Sequence, residues 1–201
     1  FYEMPVVPAQ SPEVRPESVA LQRLFEEYNL KGDFIYTALP GQKTAIRTID
    51  LPFSNFKKID STIEFEMENY LPLPLEEVVV DYEILSSNKK DSKVLVAYVR
   101  KGELIKYLTL FSAIELDPQF IGAEPVEVPN LLKLGVSFPE GAYALIDLGH
   151  EKTNLCLFTG KTLQAARTIL IGGKDLTRAV AASLKLPEGE AEKIKIEMGQ
   201  V

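Results

Sequence analysis

Residues 142–158 read Ala-Tyr-Ala-Leu-Ile-Asp-Leu-Gly-His-Glu-Lys-Thr-Asn-Leu-Cys-Leu-Phe. Two short apolar runs, Tyr143–Ile146 and Asn154–Phe158, are separated by residues typical of a turn, which predicts adjacent buried strands joined by a loop from Asp147 to Lys152. A third strand is predicted from Leu163 to Ile171, and a helix is predicted to open at Gly172 and Gly173. The stretch therefore predicts a three-stranded meander followed by a helix.

The first loop of this meander carries the candidate chemistry. Asp147 ends a strand and offers a carboxylate to a hydrated metal ion, Gly149 lets a phosphate approach the backbone, and Thr153 supplies a hydroxyl donor. This combination suits a magnesium-bound nucleotide. An ordinary hairpin, in which Asp147 and Gly149 serve only the turn, explains the same residues equally well.

The stretch that follows adds two further candidates. Gly172 and Gly173 begin a helix whose first backbone amides are able to face an anion. Glu192 and Lys195 lie three residues apart on one face of a second predicted helix, where a local ion pair explains them adequately. His150 is bulky for its place after the loop glycine and is interpreted as a turn or surface residue.

The composition of the chain argues against several classes of function. The chain has 201 residues and a formal net charge of -7, and it shows no basic cluster, which argues against nucleic-acid binding. The single cysteine, Cys156, lies between two leucines and is predicted to be a buried structural thiol. No apolar run approaches the roughly 18 residues of a membrane span, and no signal peptide is evident, so the chain is interpreted as cytosolic.

The first half of the chain also alternates between strands and helices. Pro16 opens a predicted helix, and two strands, Phe34–Leu39 and Thr44–Leu51, are predicted on either side of a turn at Pro40 and Gly41. An amphipathic helix follows, with Asp60 or Ser61 as its expected cap, and Leu71-Pro72-Leu73-Pro74 ends it.

The next elements form a second predicted strand pair. Val78–Leu85 is one strand, and Val94–Val99 is nearly continuous in apolar residues, which places it centrally in its sheet. A helix is predicted from Gly102 to Ile114 and a short strand from Phe120 to Val126. An extended segment over residues 1–8 and a helical turn over residues 129–135 complete the prediction.

Several stretches together resemble the PilM and GspL family, the actin-like cytoplasmic components of type IV pilus and type II secretion assembly platforms. The most specific is the run Glu-Phe-Glu-Met-Glu-Asn-Tyr-Leu-Pro-Leu-Pro at residues 64–74. The other matching stretches are Ala38–Gly41, Arg47–Pro52, Asp147–Gly149 with Thr153, Gly172-Gly173 with Leu176-Thr177, and Ala191-Glu192 with Lys195.

The resemblance implies a mixed α/β fold, namely a partial actin-like ATPase fold of the ribonuclease H-like type with an inserted smaller α/β subdomain. Residues 1–38 are expected to begin the actin-like subdomain, residues 39–120 to form the insertion, and residues 121–201 to return to the core with the second phosphate loop. The first phosphate loop of the family is not found in this sequence, so we expect either a fragment of a longer protein or a reduced scaffold.

The resemblance also assigns nucleotide-binding roles, with ATP and Mg²⁺ as the implied cofactors. Asp147, Gly149 and Thr153 match the second phosphate loop, with Asp147 as the metal ligand, and Gly172 and Gly173 are expected to lie behind it. Glu192 and Lys195 match the pair that approaches the ribose and base.

For partners, the resemblance implies an inner-membrane assembly protein of the same system, the pilus or secretion motor ATPase, and a second copy of the chain. The candidate docking surface combines the strand around Arg47 and Leu51 with the segment Tyr70, Leu71 and Leu73, which would receive an extended tail. The expected location is the cytoplasm, at the inner face of the bacterial inner membrane.

Three functions follow from these residues. The favoured one is a scaffold that docks a membrane partner's tail, the motor ATPase or both, with nucleotide as a regulator. The alternatives are an ATP-hydrolysing actin-like enzyme and an actin-like structural domain that has lost nucleotide binding. Binding of nucleotide is favoured over its turnover, and enzymatic activity is left open.

Overall fold

The computed structural model describes residues 16–30, 34–127, 130 and 140–199. Helices α1 to α6 span Pro16–Glu27, Phe56–Glu68, Lys101–Ser112, Glu124–Glu127, Gly173–Leu184 and Glu188–Met198. Strands β1 to β8 span Tyr36–Leu39, Thr44–Leu51, Val78–Ser87, Ser92–Arg100, Phe120–Ala123, Ala142–Leu148, Thr153–Thr159 and Thr162–Ile169. The predictions for residues 1–8 and 129–135 fall on segments that lie outside the described residues.

The chain divides into two compact units, residues 1–127 and residues 128–201. In the first unit, β2, β4 and β3 form an antiparallel sheet with β4 in the centre, and β1 pairs in parallel with β5. The central position predicted for β4 is confirmed. In the second unit, β6, β7 and β8 form an antiparallel meander, as predicted.

Helix α2 covers one face of the three-stranded sheet in the first unit. Its residues Ile59, Ile63 and Met67 recur at helical spacing and are buried against β2 and β4. The opposite face of α2 carries Glu64 and Glu68 and is exposed to solvent. The apolar stripe of the helix therefore forms the main core of the first unit.

Three details of the first unit differ from prediction. Helix α2 begins earlier than expected and is capped by Asn55, whose side chain accepts a hydrogen bond from the amide of Lys58 at 3.1 Å. Asp60 instead accepts a hydrogen bond from the Tyr82 hydroxyl at 3.0 Å. The strand predicted from Phe120 ends at Ala123, where α4 begins.

The two strands predicted on either side of the turn at Pro40 and Gly41 do not pair with each other. The chain turns at Pro40, whose carbonyl accepts a hydrogen bond from Lys43 at 2.8 Å, and Glu124 holds the amide of Gly41 at 2.8 Å. Strand β2 then pairs with β4, whereas β1 pairs with β5, about which the local sequence carries no information. The paired strands β1 and β5 flank the predicted insertion, because β1 ends at Leu39 and β5 begins at Phe120. That residues 39–120 form an inserted subdomain stays a prediction.

The meander of the second unit is buried on one face only. Cys156, Phe158 and Ala166 share the buried face, because they are paired across β7 and β8 or lie two apart along a strand. Ile146 and Leu148, on the other face, are 62% and 58% exposed. The prediction that β6 is a buried strand is therefore wrong.

Candidate functional site

The loop after β6 folds back on itself. The amide of Gly149 donates a hydrogen bond to the carbonyl of Lys152 at 2.9 Å, which closes the turn between Leu148 and Thr153. A Cβ atom at Gly149 would lie 3.0 Å from that same carbonyl oxygen. The turn is therefore tight enough to favour glycine at this position.

The loop is fastened to the start of α5. The amides of Gly173 and Lys174 donate hydrogen bonds to the carbonyls of Gly149 and His150, each at 2.9 Å. The Lys174 ammonium also pairs with the Glu151 carboxylate at 2.8 Å. The structure thus places Gly173 directly behind the loop, and the first amides of α5 are not available to an anion in this arrangement.

Close packing of the two segments depends on Gly172. A Cβ atom there would lie 2.5 Å from the carbonyl oxygen of His150 and 2.7 Å from that of Gly149. No side chain fits against backbone atoms at these distances. Asp175 completes the junction by accepting a hydrogen bond from the amide of Gly172 at 2.9 Å.

The tip of the loop presents two backbone donors. Within residues 140–199, no hydrogen bond joins the amides of His150 or Glu151 to an acceptor of the protein. Backbone amides that make no hydrogen bond within the protein remain able to donate to an anion. The loop tip therefore offers two donors, with Gly172 and Gly173 behind the loop.

Asp147 belongs to a chain of polar side chains across the meander. Its carboxylate accepts a hydrogen bond from the amide nitrogen of Asn154 at 3.2 Å, and the Asn154 oxygen accepts one from the Thr168 hydroxyl at 2.7 Å. Asn154 is 1% exposed, whereas Asp147 is exposed. Strand periodicity alone did not identify Asn154, since it lies among apolar residues of β7.

Asp147 and Thr153 do not converge on one point. Asp147 is paired with Asn154 in the sheet and shares its face, so Thr153, one residue earlier on β7, lies on the opposite face. The Thr153 hydroxyl donates a hydrogen bond to the carbonyl of Ile171 at 2.7 Å. The two side chains therefore lie on different faces of the sheet, and their joint role in binding a metal-bound phosphate stays a prediction.

Asp147 stands as a single carboxylate. In the described part of the chain, no group of three or more His, Cys, Asp or Glu side chains is arranged to hold a metal ion. Mg²⁺ retains several waters and commonly uses one or two carboxylates together with substrate phosphates. Asp147 fits that pattern only when a phosphate supplies the remaining oxygens.

Glu192 and Lys195 form the predicted ion pair, with 2.6 Å between the Lys195 ammonium and the Glu192 carboxylate. The same ammonium donates to the hydroxyl of Thr177 at 2.9 Å and to the carbonyl of Gly173 at 3.1 Å. The Thr177 hydroxyl in turn lies within hydrogen-bond distance of Glu192. The pair is thereby joined to the first turn of α5, and Thr177 is a site residue to which sequence reasoning gave no role.

The contacts described above shift the pKa values of the carboxylates that take part in them. Hydrogen bonds from Lys195 and then Thr177 hold the pKa of Glu192 below its ordinary value. The hydrogen bond from Lys174 likewise lowers the pKa of Glu151. Burial raises the pKa of the Cys156 thiol to about 11, and the predicted burial of this side chain is confirmed.

The residues predicted to dock a partner lie on the α2 side of the first unit's sheet. The Arg47 guanidinium stacks over the Tyr70 ring, 4.0 Å from its centroid. Leu71 packs against the core beneath α2, and Leu73 is half-buried. Leu51 is 3% exposed within that core, so its side chain is not available to a partner, and docking at this strand stays a prediction.

A concave surface lies on the other face of the same sheet. We call it the unit 1 groove; it has a volume of about 530 Å³, within the roughly 300–1,000 Å³ of pockets that enclose ligands. Its walls come from β3, β4 and Thr44 of β2 on one side and from β1, β5, α3 and α4 on the other. The apolar lining residues are Leu39, Val79, Leu95, Ala97, Val99, Leu104, Phe120, Ile121, Ala123 and Val126.

The unit 1 groove is acidic where it meets solvent. Asp81 and Glu83 project from β3 at exposed positions, and Glu127 lines the groove from α4. Phe120 is 47% exposed at the groove and packs at a tilt against Tyr36, with ring centroids 5.8 Å apart and 41° between the ring planes. The groove is thus suited to an apolar segment that also carries positive charge.

Comparison with known proteins gives matches that cover nearly the whole chain. The family model described as type IV pilus assembly protein PilM matches residues 9–200. The chain is also similar to a solved structure described as the PilM-PilN type IV pilus biogenesis complex, with 26% sequence identity and a TM-score of 0.77. The match covers 97% of this chain and 60% of that one, so this chain spans less than two thirds of the length of the relative.

The chain is more weakly similar to other solved structures. The cytoplasmic domain of EpsL, an inner membrane component of the type II secretion system of Vibrio cholerae, is 16% identical with a TM-score of 0.49, and the match covers 86% of this chain and 63% of that domain's chain. The ethanolamine utilization protein EutJ from Carboxydothermus hydrogenoformans is 24% identical with a TM-score of 0.37, over 47% of this chain and 33% of EutJ.

Proposed function

This chain belongs to the family of the type IV pilus assembly protein PilM, and we propose that it acts as a cytoplasmic scaffold at the inner-membrane assembly platform, where its unit 1 groove holds the extended tail of a membrane partner. The proposed partner is a PilN-type protein of the same system, because the similar solved structure is described as a PilM-PilN complex. Engagement of the motor ATPase and self-association remain predictions. No helix among residues 16–30, 34–127 and 140–199 is long and apolar enough to cross a membrane.

The observation that carries this proposal is the unit 1 groove itself. A tail in extended conformation directs alternate side chains to one side, so its apolar residues can enter a groove while its backbone stays near the rim. Leu95, Ala97 and Val99 supply an apolar floor along the central strand β4. Asp81 and Glu83 offer carboxylates to a basic residue of the tail.

Filling the groove should abolish docking. Ala97 lies on the groove face of β4, and Ala97→Trp would place a large ring where the tail is proposed to lie. We expect the dissociation constant for a synthetic peptide of the PilN-type partner's cytoplasmic tail to rise at least about tenfold, the equivalent of about 1.4 kcal/mol. Fluorescence anisotropy with labelled peptide measures the change, and circular dichroism checks that the variant is folded.

Tyr70→Ala is the matched comparison, because Tyr70 lies on the opposite side of the sheet, where the sequence predicted docking. It should change peptide affinity by no more than about twofold, since removal of an exposed side chain outside an interface is nearly neutral. Loss of affinity in Tyr70→Ala with normal binding by Ala97→Trp would move the docking site to the Arg47 and Tyr70 surface.

A second candidate function is regulation by a magnesium-bound nucleotide in the second unit. It is supported by the free amides of His150 and Glu151 at the loop tip and by the proximity of Lys195 to the start of α5. In this proposal the two amides hold a phosphate, Asp147 contacts its hydrated Mg²⁺, and Glu192 and Lys195 approach the ribose and base. The bound Mg²⁺ would neutralise phosphate charge.

Asp147→Asn tests this second function while preserving an acceptor for the side chain of Asn154. We expect calorimetric titration with Mg-ATP to show at least about tenfold weaker binding than in the unmodified protein, because an uncharged amide is a poor ligand for Mg²⁺. Asp50→Asn, at a carboxylate that is 78% exposed in the first unit, should bind normally. Absence of Mg-ATP binding in the unmodified protein would contradict nucleotide regulation.

A further inference from the structure

The ammonium of Lys195 lies close to the first turn of α5, where the helix dipole does not favour a cation. It donates to the carbonyl of Gly173, the first residue of α5, and therefore lies at the positive end of that helix dipole. A Cβ atom at Gly173 would be only 3.5 Å from it. A cation near the N-terminus of a helix is stable only where hydrogen-bond acceptors offset its repulsion by the helix dipole. Such departures from the usual placement of charges are concentrated at functional sites.

Three acceptors hold the Lys195 ammonium, one for each of its protons. They are the carbonyl of Gly173 at 3.1 Å, the hydroxyl of Thr177 at 2.9 Å and the carboxylate of Glu192 at 2.6 Å. Glu192 belongs to the same helix as Lys195, whereas Gly173 and Thr177 belong to α5. The contacts from α5 therefore determine where the ammonium points.

Thr177 is the only one of these side chains that is buried, with 6% exposure, and it contacts both charged groups. Its hydroxyl accepts from Lys195 and donates to Glu192 or to the carbonyl of Gly173, which lies 3.0 Å away. Without that hydroxyl, Glu192 would have no contact with α5 and Lys195 would keep only the carbonyl of Gly173, and exposed ion pairs hold their geometry weakly.

We propose that Thr177 is a positioning residue, whose hydroxyl fixes the Glu192–Lys195 pair against the first turn of α5 and beside the loop at 149–152. The expected effect on Mg-ATP affinity rests on the proposed nucleotide function, whereas the positioning of the Glu192–Lys195 pair by Thr177 does not. The titratable groups that face the pair are the side chain of His150 on the loop and the two partners themselves.

Thr177→Val removes the hydroxyl at nearly constant size, and Thr177→Ser restores it. In Thr177→Val, carboxyl carbon NMR should show the pKa of Glu192 rising towards its ordinary value, and the nitrogen resonance of the Lys195 ammonium should move towards that of a solvated lysine. Affinity for Mg-ATP should fall about tenfold, as expected for loss of a hydrogen bond to a charged group. Thr177→Ser should reproduce the unmodified protein in all three measurements.

Thr109→Val is the matched control, because Thr109 also bonds the carbonyl four residues earlier on its helix, at 2.8 Å, but lies in the first unit. It should leave both resonances and the Mg-ATP affinity unchanged. Unchanged Glu192 and Lys195 resonances in Thr177→Val would overturn the positioning role. If the unmodified protein binds no Mg-ATP, the nucleotide function fails, and the two resonances still decide the role of Thr177.

Discussion

Replacing Ile59 with alanine is expected to lower the free energy of unfolding by about 2–5 kcal/mol, the usual range for deletion of a fully buried aliphatic side chain. Ile59 is 0% exposed and packs with Ile63, Met67 and the strand residues Val94 and Val96. Its removal leaves a cavity between α2 and the sheet that close packing cannot readily fill. Chemical denaturation measures the loss, and hydrogen exchange should show weaker protection of the β4 amides.

Phe65→Ala on the same helix is the control for this prediction. Phe65 is 66% exposed and faces away from the sheet, so its removal should change the free energy of unfolding by no more than about 0.5 kcal/mol. Equal losses in the two variants would contradict the arrangement of α2 described above, because burial would then not distinguish its two faces.

Local patterns predicted most elements of the fold. Thr44–Leu51 was predicted with the bounds of β2, since turn residues delimit an alternating run at both ends. The continuous apolar run of Val94–Val99 placed β4 in the centre of its sheet, because only a strand with neighbours on both sides is covered throughout. The predicted family is confirmed by the PilM model, and the predicted mixed α/β, actin-like fold class by the similar PilM structure.

Long-range pairing was not predictable in the same way. The parallel pairing of Tyr36 with Phe120 joins strands separated by two helices and three other strands. Neither strand carries a feature that selects the other. The unit 1 groove was missed for the same reason, because its walls come from seven elements and exist only after those elements have packed.

The sequence predicted which residues belong to the candidate site, but it did not predict how their side chains are arranged in space. Gly172 and Gly173 were expected behind the loop, and the structure places them there. The opposite faces of Asp147 and Thr153 depend on where β6 ends and β7 begins, a boundary that sequence patterns define only within a few residues. Thr177 acquires its contacts only when α5 packs on α6.

Gly172→Ala is expected to destabilise the second unit by about 1–3 kcal/mol or more, as for other substitutions that overfill a packed site. The backbone of Gly172 has φ -148°, which alanine adopts readily, so the cost is steric. The new Cβ would lie within 2.7 Å of the carbonyl oxygens of Gly149 and His150, and those atoms belong to the loop backbone. The loop and α5 must therefore separate, which weakens the hydrogen bonds from Gly173 and Lys174.

Hydrogen exchange of the Gly173 and Lys174 amides measures this separation directly, and chemical denaturation measures the loss of stability. Gly189→Ala is the matched control, since Gly189 lies in α6 with no atom within 4 Å of its new Cβ and alanine favours a helix by up to about 1 kcal/mol. We expect the two variants to change stability in opposite directions. A Gly172→Ala protein of undiminished stability, with both amides still protected, would show that the loop is not fastened to α5, and the phosphate site proposed at the loop tip would lose its support.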